Sequence, residues 1–467
     1  MNRLATVGLF SVPQAFEPKY SRGQVAAHTG TDPDLDWQLV VILRRKASEL
    51  ISQAAAEGEP LGPDDRRLQG RSIIRRVVRD HVETLSSTGE ALWPVEVEAA
   101  CARAVENAIF GYGRLQPLFE IPEAENIEIH GCDSVVVQYG DGHRENRPPV
   151  ADSDEELVEA IRFLGESVSP ARPFDDTHPM LTLALGDRFR LHAIGFGLSY
   201  RPSITIRQHT LTDITLADLS EGGLMPAEVA EFLRASVLAR KSMVISGDQG
   251  AGKTTLLRAL IDAIPDNERF GTLETDYELL THLQAHRRNI LALQSRVGMG
   301  EIVAGRRLGE YTVADLIPEA LRQNLSRLVV GEVRGNEAGA MFEAMTSGAG
   351  TLSTTHSHSA ASTIDRLASR VAHGGVLAMD EAYRQIAHHL HLLIHVRLID
   401  DTWRGGVRLR QIAEIRQLTG GIESGRPVTH LCYRSDSRGH YEFTPDPGLL
   451  AELTEFGFAD GAAGGRP

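Results

Sequence analysis

Gly247, Gly252, Lys253 and Thr254 stand at the spacing G-x-x-x-x-G-K-[ST]. Glycines at such a spacing let the backbone curl around a phosphate chain with its N–H groups pointing inward. A helix starting there adds N–H donors and a partial positive charge. A lysine at this place neutralises β- and γ-phosphates, and the Thr254 hydroxyl suits Mg2+. The loop Gly247, Asp248, Gln249, Gly250, Ala251, Gly252, Lys253, Thr254 and Thr255 is therefore expected to bind ATP. Its flanks agree. Met243 to Ser246 reads as a short strand, and Leu256, Leu257, Leu260, Ile261 and Ile264 recur at helical spacing.

Such a loop needs acidic partners. Glu332 follows Leu328-Val329-Val330-Gly331, an apolar strand ending in a carboxylate. That layout holds Mg2+ or orients an attacking water. Glu274 and Glu278 follow a strand predicted at Phe270 to Leu273, which would bring them to the same sheet edge. His356 ends the run Thr351 to Thr355, where it could sense a γ-phosphate through a hydrogen bond. The plainer readings are exposed loop acids and a surface histidine. His388, His389, His391 and His395 lie in an alternating apolar stretch with no cysteine or carboxylate pattern. They read as strand and helix-end residues rather than a metal site.

Around these residues strand and helix alternate, which predicts an α/β fold with a mostly parallel sheet covered on both faces. Residues 1–35 read as a flexible lead and 36–112 as three helices. Residues 113–208 read as an N-terminal α+β domain, 209–223 as a linker and 224–418 as the P-loop domain. Leu390 to Leu398 and Arg408 to Ile415 are predicted as a late antiparallel pair. Residues 419–467 form a C-terminal extension with a Gly/Ala-rich tail. Arg71, Arg75, Arg76 and Arg79 either face anionic lipid or an acidic partner, or form a solvated helix face.

The 467 residues suffice for two or three domains. Hydrophobic content of 42% and charged content of 24% are ordinary for a soluble globular protein. The net charge of −15 argues against a nucleic-acid backbone as main partner. Cys101, Cys132 and Cys432 are far apart and form no CxxC pair, so neither a disulfide framework nor a zinc site is predicted. No apolar run approaches a membrane span and no signal peptide is evident, so a cytoplasmic place is expected.

In this order, the segments resemble the type II/type IV secretion ATPase superfamily, and most closely its CpaF/TadA-type branch of tight-adherence and Flp pili. The resemblance rests on Gly113-Arg114-Leu115-Gln116-Pro117-Leu118, Asn126 to Gly131, Arg188 to Ala193, Ile204 to Arg207 and the P-loop. Glu274 to Leu279 is similar to the family's acidic box, Leu328 to Gly335 to its Walker B segment, and Thr354-Thr355-His356 to its histidine box. It implies a RecA-like ATPase domain with nucleotide held between it and the N-terminal domain. It also implies ATP and Mg2+ as cofactors, a hexameric ring, and membrane platform proteins as partners on the cytoplasmic face. By position Glu332, Glu274, Glu278 and His356 take catalytic roles, Thr254 and Glu332 the metal, and Arg190 and Arg207 reach the nucleotide. The chain departs from the family at Gly348-Ala349-Gly350-Thr351, at Thr275, and at Asn324, where relatives carry a second arginine beyond Arg322. The leading expectation is an ATP-driven motor for pilus assembly or secretion. The alternatives are a RecA-like nucleic-acid translocase and a non-hydrolysing nucleotide-dependent scaffold.

Overall fold

A computed structural model describes residues 35–459, apart from 59–60, 88–90, 92, 169–170, 187, 210–212, 299–300, 304, 336, 347–349 and 376. The N-terminal lead and the Gly/Ala-rich tail lie outside the described residues, as does part of the Gly348 to Thr351 departure. Two compact units meet in the chain at Thr210/Leu211.

The first unit begins with α1 (Trp37–Glu57), α2 (Pro63–Ser87) and α3 (Val95–Phe110). The Asp36 side chain starts α1 by accepting from the Gln38 and Leu39 N–H groups. The three helices bury Val40, Leu43, Ile74, Val78, Cys101 and Val105 against each other. Arg71 of the basic cluster pairs with Glu106 of α3 at 2.6 Å, while Arg75 and Arg76 stay exposed.

After α4 (Gln116–Phe119) come β1 (Ala124–His130), β2 (Ser134–Tyr139), β3 (Arg144–Arg147), α5 (Asp154–Ser167), β4 (Met180–Leu185), β5 (Phe189–Ile194) and β6 (Ser203–Gln208). The six strands form one sheet in the order β3-β2-β1-β6-β5-β4, antiparallel throughout. Strand side chains alternate between faces. One face therefore buries Ile127, Ile129, Leu183, Leu191, Ile204 and Ile206 with Leu157 and Ile161 of α5.

The second unit holds α6 (Leu216–Glu221), α7 (Ala227–Leu238), β7 (Met243–Gly247), α8 (Lys253–Asp262), β8 (Phe270–Glu274), β9 (Ile290–Gln294), β10 (Ile302–Val303), β11 (Arg306–Arg307), α9 (Val313–Leu321), β12 (Arg327–Val330), α10 (Glu337–Thr346), β13 (Leu352–His356), α11 (Ala360–His373), α12 (Met379–His389), β14 (Leu392–Asp400), β15 (Arg408–Glu423), β16 (Arg426–Ser435), β17 (Tyr441–Phe443) and α13 (Pro447–Thr454). Nine of these strands form one sheet, β17-β16-β15-β14-β7-β13-β12-β8-β9. From β14 to β9 neighbouring strands run parallel, and β15 to β17 run antiparallel. α7, α8 and α13 pack on one face and α9 to α12 on the other. Central strands covered on both faces read as continuous apolar runs, as Met243-Val244-Ile245 and Leu328-Val329-Val330 do.

Two local features differ from the sequence reading. The segment read as a linker contains α6, started by a capping box between Thr215 and Asp218. The boundary at 418 falls inside β15, because the extension supplies the strands that complete the sheet. β16 carries no clean alternation that would mark it as a strand, and Pro427 stands near its start.

Candidate nucleotide site

β7 is central, with β14 on one side and β13 on the other. A loop at the carboxyl end of such a strand sits where open α/β sheets hold ligands. Gly247 ends the strand at φ +153°, and a Cβ there would lie 2.3 Å from the Val396 carbonyl oxygen. Only glycine lets the turn pass so close to β14. α8 then opens at Lys253, with Thr254 and Thr255 in its first turn. This is the helix start that phosphate binding requires.

Lys253 is 8% exposed. Its Nζ donates to the Gly247 and Asp248 carbonyls at 3.0 and 2.8 Å. It also stands 3.3 Å from His356 Nδ1. An ammonium has only donors, so Nδ1 is the acceptor and the ring proton falls on Nε2. That nitrogen lies 3.2 Å from Glu332 Oε1. The approach is close but lacks hydrogen-bond alignment, and Glu332 Oε1 is buried without a hydrogen-bond partner.

The strand ends are stapled together. Val333 N–H donates to Thr354 O at 2.8 Å, Thr354 Oγ1 to Gly331 O at 2.7 Å, and Thr355 Oγ1 to Val333 O at 3.0 Å. These bonds hold the segment after β12, which carries Glu332, against β13, which carries His356. Arg334 Nη2 donates to Glu332 Oε2 at 2.7 Å. Burial raises the Glu332 pKa, but the Arg334 hydrogen bond and charge, then His356 and Lys253, outweigh it and leave the carboxyl below its ordinary value. Glu332 is therefore an ionised acid beside the loop lysine. Burial and the Lys253 charge lower the His356 pKa, so its imidazole is neutral near pH 7.

Glu274 ends β8, which pairs with β12. It is 4% exposed, and burial pushes its pKa up to about 8. Oε1 accepts from the Glu278 and Leu279 N–H groups at 2.9 and 2.8 Å, and Oε2 is buried without a hydrogen-bond partner. A Cβ on Gly331 would lie 3.0 Å from Glu274 Cγ, which puts this acid beside the residue preceding Glu332. Glu278 is half-buried, and its carbonyl accepts from Arg258 Nε of α8 at 2.9 Å. The acidic turn is thus tied to the P-loop helix.

The donor set fits Mg2+. A hydroxyl in the first turn of α8 and an ionised carboxylate with an unpartnered oxygen are the groups that bind this ion together with nucleotide phosphates. Among the described residues no group of three or more His, Cys, Asp or Glu could hold a metal by itself. His391 Nδ1 instead accepts from Ser242 N–H at 3.0 Å, and His395 Nδ1 lies 3.1 Å from Ser246 Oγ.

Arg190 and Arg207 face each other directly across β5 and β6, both half-buried. They belong to the first unit and the loop to the second. Asn324 has a left-handed backbone, φ +54°, just after α9. Asparagine adopts this conformation more readily than most residues. Sequence reasoning missed Arg334, although it lies in the quoted Walker B segment, because nothing in spacing shows it turning back onto Glu332. It also missed Arg258, whose burial cannot be read from a helical pattern that should expose it.

A glycine loop on a central parallel strand, with a lysine, a carboxylate and a histidine from adjoining strand ends, defines a RecA-like P-loop nucleotide-binding domain. The chain belongs to the family described as Type II/IV secretion system protein, whose model matches residues 146–439. It is 29% identical over 334 residues to a Mycobacterium tuberculosis protein named for conjugal transfer, an alignment covering 69% of this chain and 89% of that one. It is 35% identical over 130 residues to protein VirB11 of Agrobacterium fabrum, covering 28% of this chain and 35% of VirB11. Among solved structures it is similar to the ATPase DotB of Yersinia pseudotuberculosis, at 19% identity and a TM-score of 0.46, covering 66% of this chain and 79% of that one.

Proposed function

We propose that this chain is an ATP-hydrolysing motor of a secretion or pilus-assembly machine, of the tight-adherence type. The observation that carries the reading is the His356 ring standing between Lys253 and Glu332. A lysine that grips phosphate and an acid that handles water are thereby read by one side chain. Family membership and the conjugal-transfer name of a relative support the secretion setting.

The loop amides and Lys253 bind the β- and γ-phosphates of ATP. Thr254 and Glu332 would hold Mg2+, which when bound draws charge off the phosphate oxygens. Glu332, ionised, orients the water that attacks the γ-phosphorus as the bond to ADP breaks. His356 donates from Nε2 toward Glu332 or toward the γ-phosphate, and so registers which is present. Glu274, largely protonated, fixes the acidic turn and with it Glu278. Arg190 and Arg207 would offer guanidinium donors to a nucleotide phosphate. The working form is a hexameric ring in the cytoplasm, docked on membrane platform proteins. Among the described residues no helix is long and apolar enough to cross a membrane.

ATPase rate against protein concentration, with sizing with and without nucleotide, tests the reading. Turnover per chain that rises as rings form supports a ring motor. A rate independent of concentration and stimulated by DNA favours the nucleic-acid translocase.

A further inference from the structure

The loop is also gripped from the side away from Glu332. β7 separates β14 and β15 from β13 and β12, so residues of β15 reach the loop from the other direction. Arg410 lies opposite Leu398 and Arg408 opposite Asp400, two residues apart and therefore on one face. Arg410 Nε donates to the Gly250 carbonyl at 2.8 Å. Its Cδ lies 3.4 Å from where a Cβ on Gly252 would stand. Arg408 Nη2 lies 3.6 Å from the same point on Gly250, and Arg408 Nε is 3.4 Å from Asp400 Oδ2. Both guanidinium side chains run along the outer side of the loop tip.

In a trans peptide the carbonyl and the next N–H point in opposite directions. Holding the Gly250 carbonyl outward therefore aims the Ala251 N–H inward. That N–H makes a long 3.3 Å contact with Asp248 O, the carbonyl that also accepts from Lys253 Nζ at 2.8 Å. It thus faces the side of the loop where the lysine sits. A charged donor grips a carbonyl more firmly than a neutral one. Setting donors before binding raises affinity by cutting the ordering cost.

We infer that Arg410 is a positioning residue of the nucleotide site, presetting the Ala251 N–H toward bound phosphate through the Gly250 carbonyl. The inference rests on the nucleotide reading of the loop. It separates binding from chemistry, because the grip acts equally on ground and transition states.

The test uses the full chain and a fluorescent ATP analogue, with ATP turnover and thermal unfolding measured alongside. Arg410→Gln should bind about tenfold more weakly, with KM raised equally, kcat within about twofold and an unchanged unfolding temperature. Arg410→Lys, still a charged donor, should recover most of the affinity. Should the glutamine variant not fold, Arg410→Met, which keeps the apolar stem and removes the donor, takes its place, with the same weakening expected and wild-type affinity contradicting the inference. Wild-type affinity in Arg410→Gln overturns it, as does a loss that follows the unfolding temperature and is not rescued by lysine. Lys253→Ala separates the two levels. If that variant binds normally, the nucleotide reading itself fails. If it does not bind while Arg410→Gln binds with wild-type affinity, only the role of Arg410 is lost.

Discussion

His356 Nε2 lies 3.2 Å from Glu332 Oε1, and the other nitrogen of the same ring lies 3.3 Å from Lys253 Nζ. The ring joins β13 to the segment after β12 and to the first residue of α8. A neutral imidazole can do this, since it has one acceptor and one donor. An imidazolium cannot, because its Nδ1–H would then face the Lys253 ammonium. This dependence on one protonation state gives the site a pH signature.

Turnover should therefore fall on the acid side as His356 gains its second proton. Burial and Lys253 lower its pKa, so the midpoint lies below the ordinary histidine value of 6.5. The pH–kcat profile checks this, with His356→Asn as comparison. An acid limb with its midpoint above 6.5, or one unchanged in the asparagine variant, contradicts the assignment.

Lys253→Ala should lose nucleotide binding, because the phosphates lose their main side-chain counter-ion. Equilibrium dialysis against ATP reads this directly. Binding within about twofold of the wild type would remove the phosphate role from the loop.

Glu274 makes a prediction about stability. Its folded pKa, about 8, lies above the ordinary carboxyl value of 4.5, so between these two the folded chain binds the extra proton. Stability from this group is complete at low pH and is lost as pH rises toward 8. Glu274→Gln keeps an acceptor for the Glu278 and Leu279 N–H groups and cannot ionise. Its unfolding temperature should exceed the wild type's increasingly from pH 5 to 9, with curves converging at the acid end. Parallel curves would show that the wild-type carboxyl is not held neutral.

Arg207→Ala should raise the KM for ATP about tenfold or more if the guanidinium contacts phosphate. Surface ion pairs would contribute only about 0–1 kcal/mol and leave KM nearly unchanged. Steady-state kinetics of the full chain distinguishes the two.

The sequence made the P-loop legible because phosphate binding constrains adjacent positions, and Gly247 to Thr255 are contiguous. Glu332 was legible because an apolar strand ending in an acid is a local pattern. The late antiparallel pair was readable from its alternation and from Gly405-Gly406. What stayed hidden depends on chain reversal or burial. Arg410 meets Gly250 across 160 residues of chain, and no spacing predicts that. The pairing of His356 with Lys253 spans 103 residues and follows from sheet order, which periodicity does not supply. α6 was missed because six residues carry too little period to separate from a polar linker.

The central claim is that Glu332 drives hydrolysis at the phosphate loop. It is tested most directly by single-turnover ATP cleavage in Glu332→Gln, with ATP binding measured on the same sample. The amide keeps the size of the carboxylate and loses its charge. The account predicts ATP bound within about threefold of wild-type affinity and cleavage slower by about 100-fold or more. Cleavage at the wild-type rate would contradict it and move the chemistry to Glu274 or Glu278.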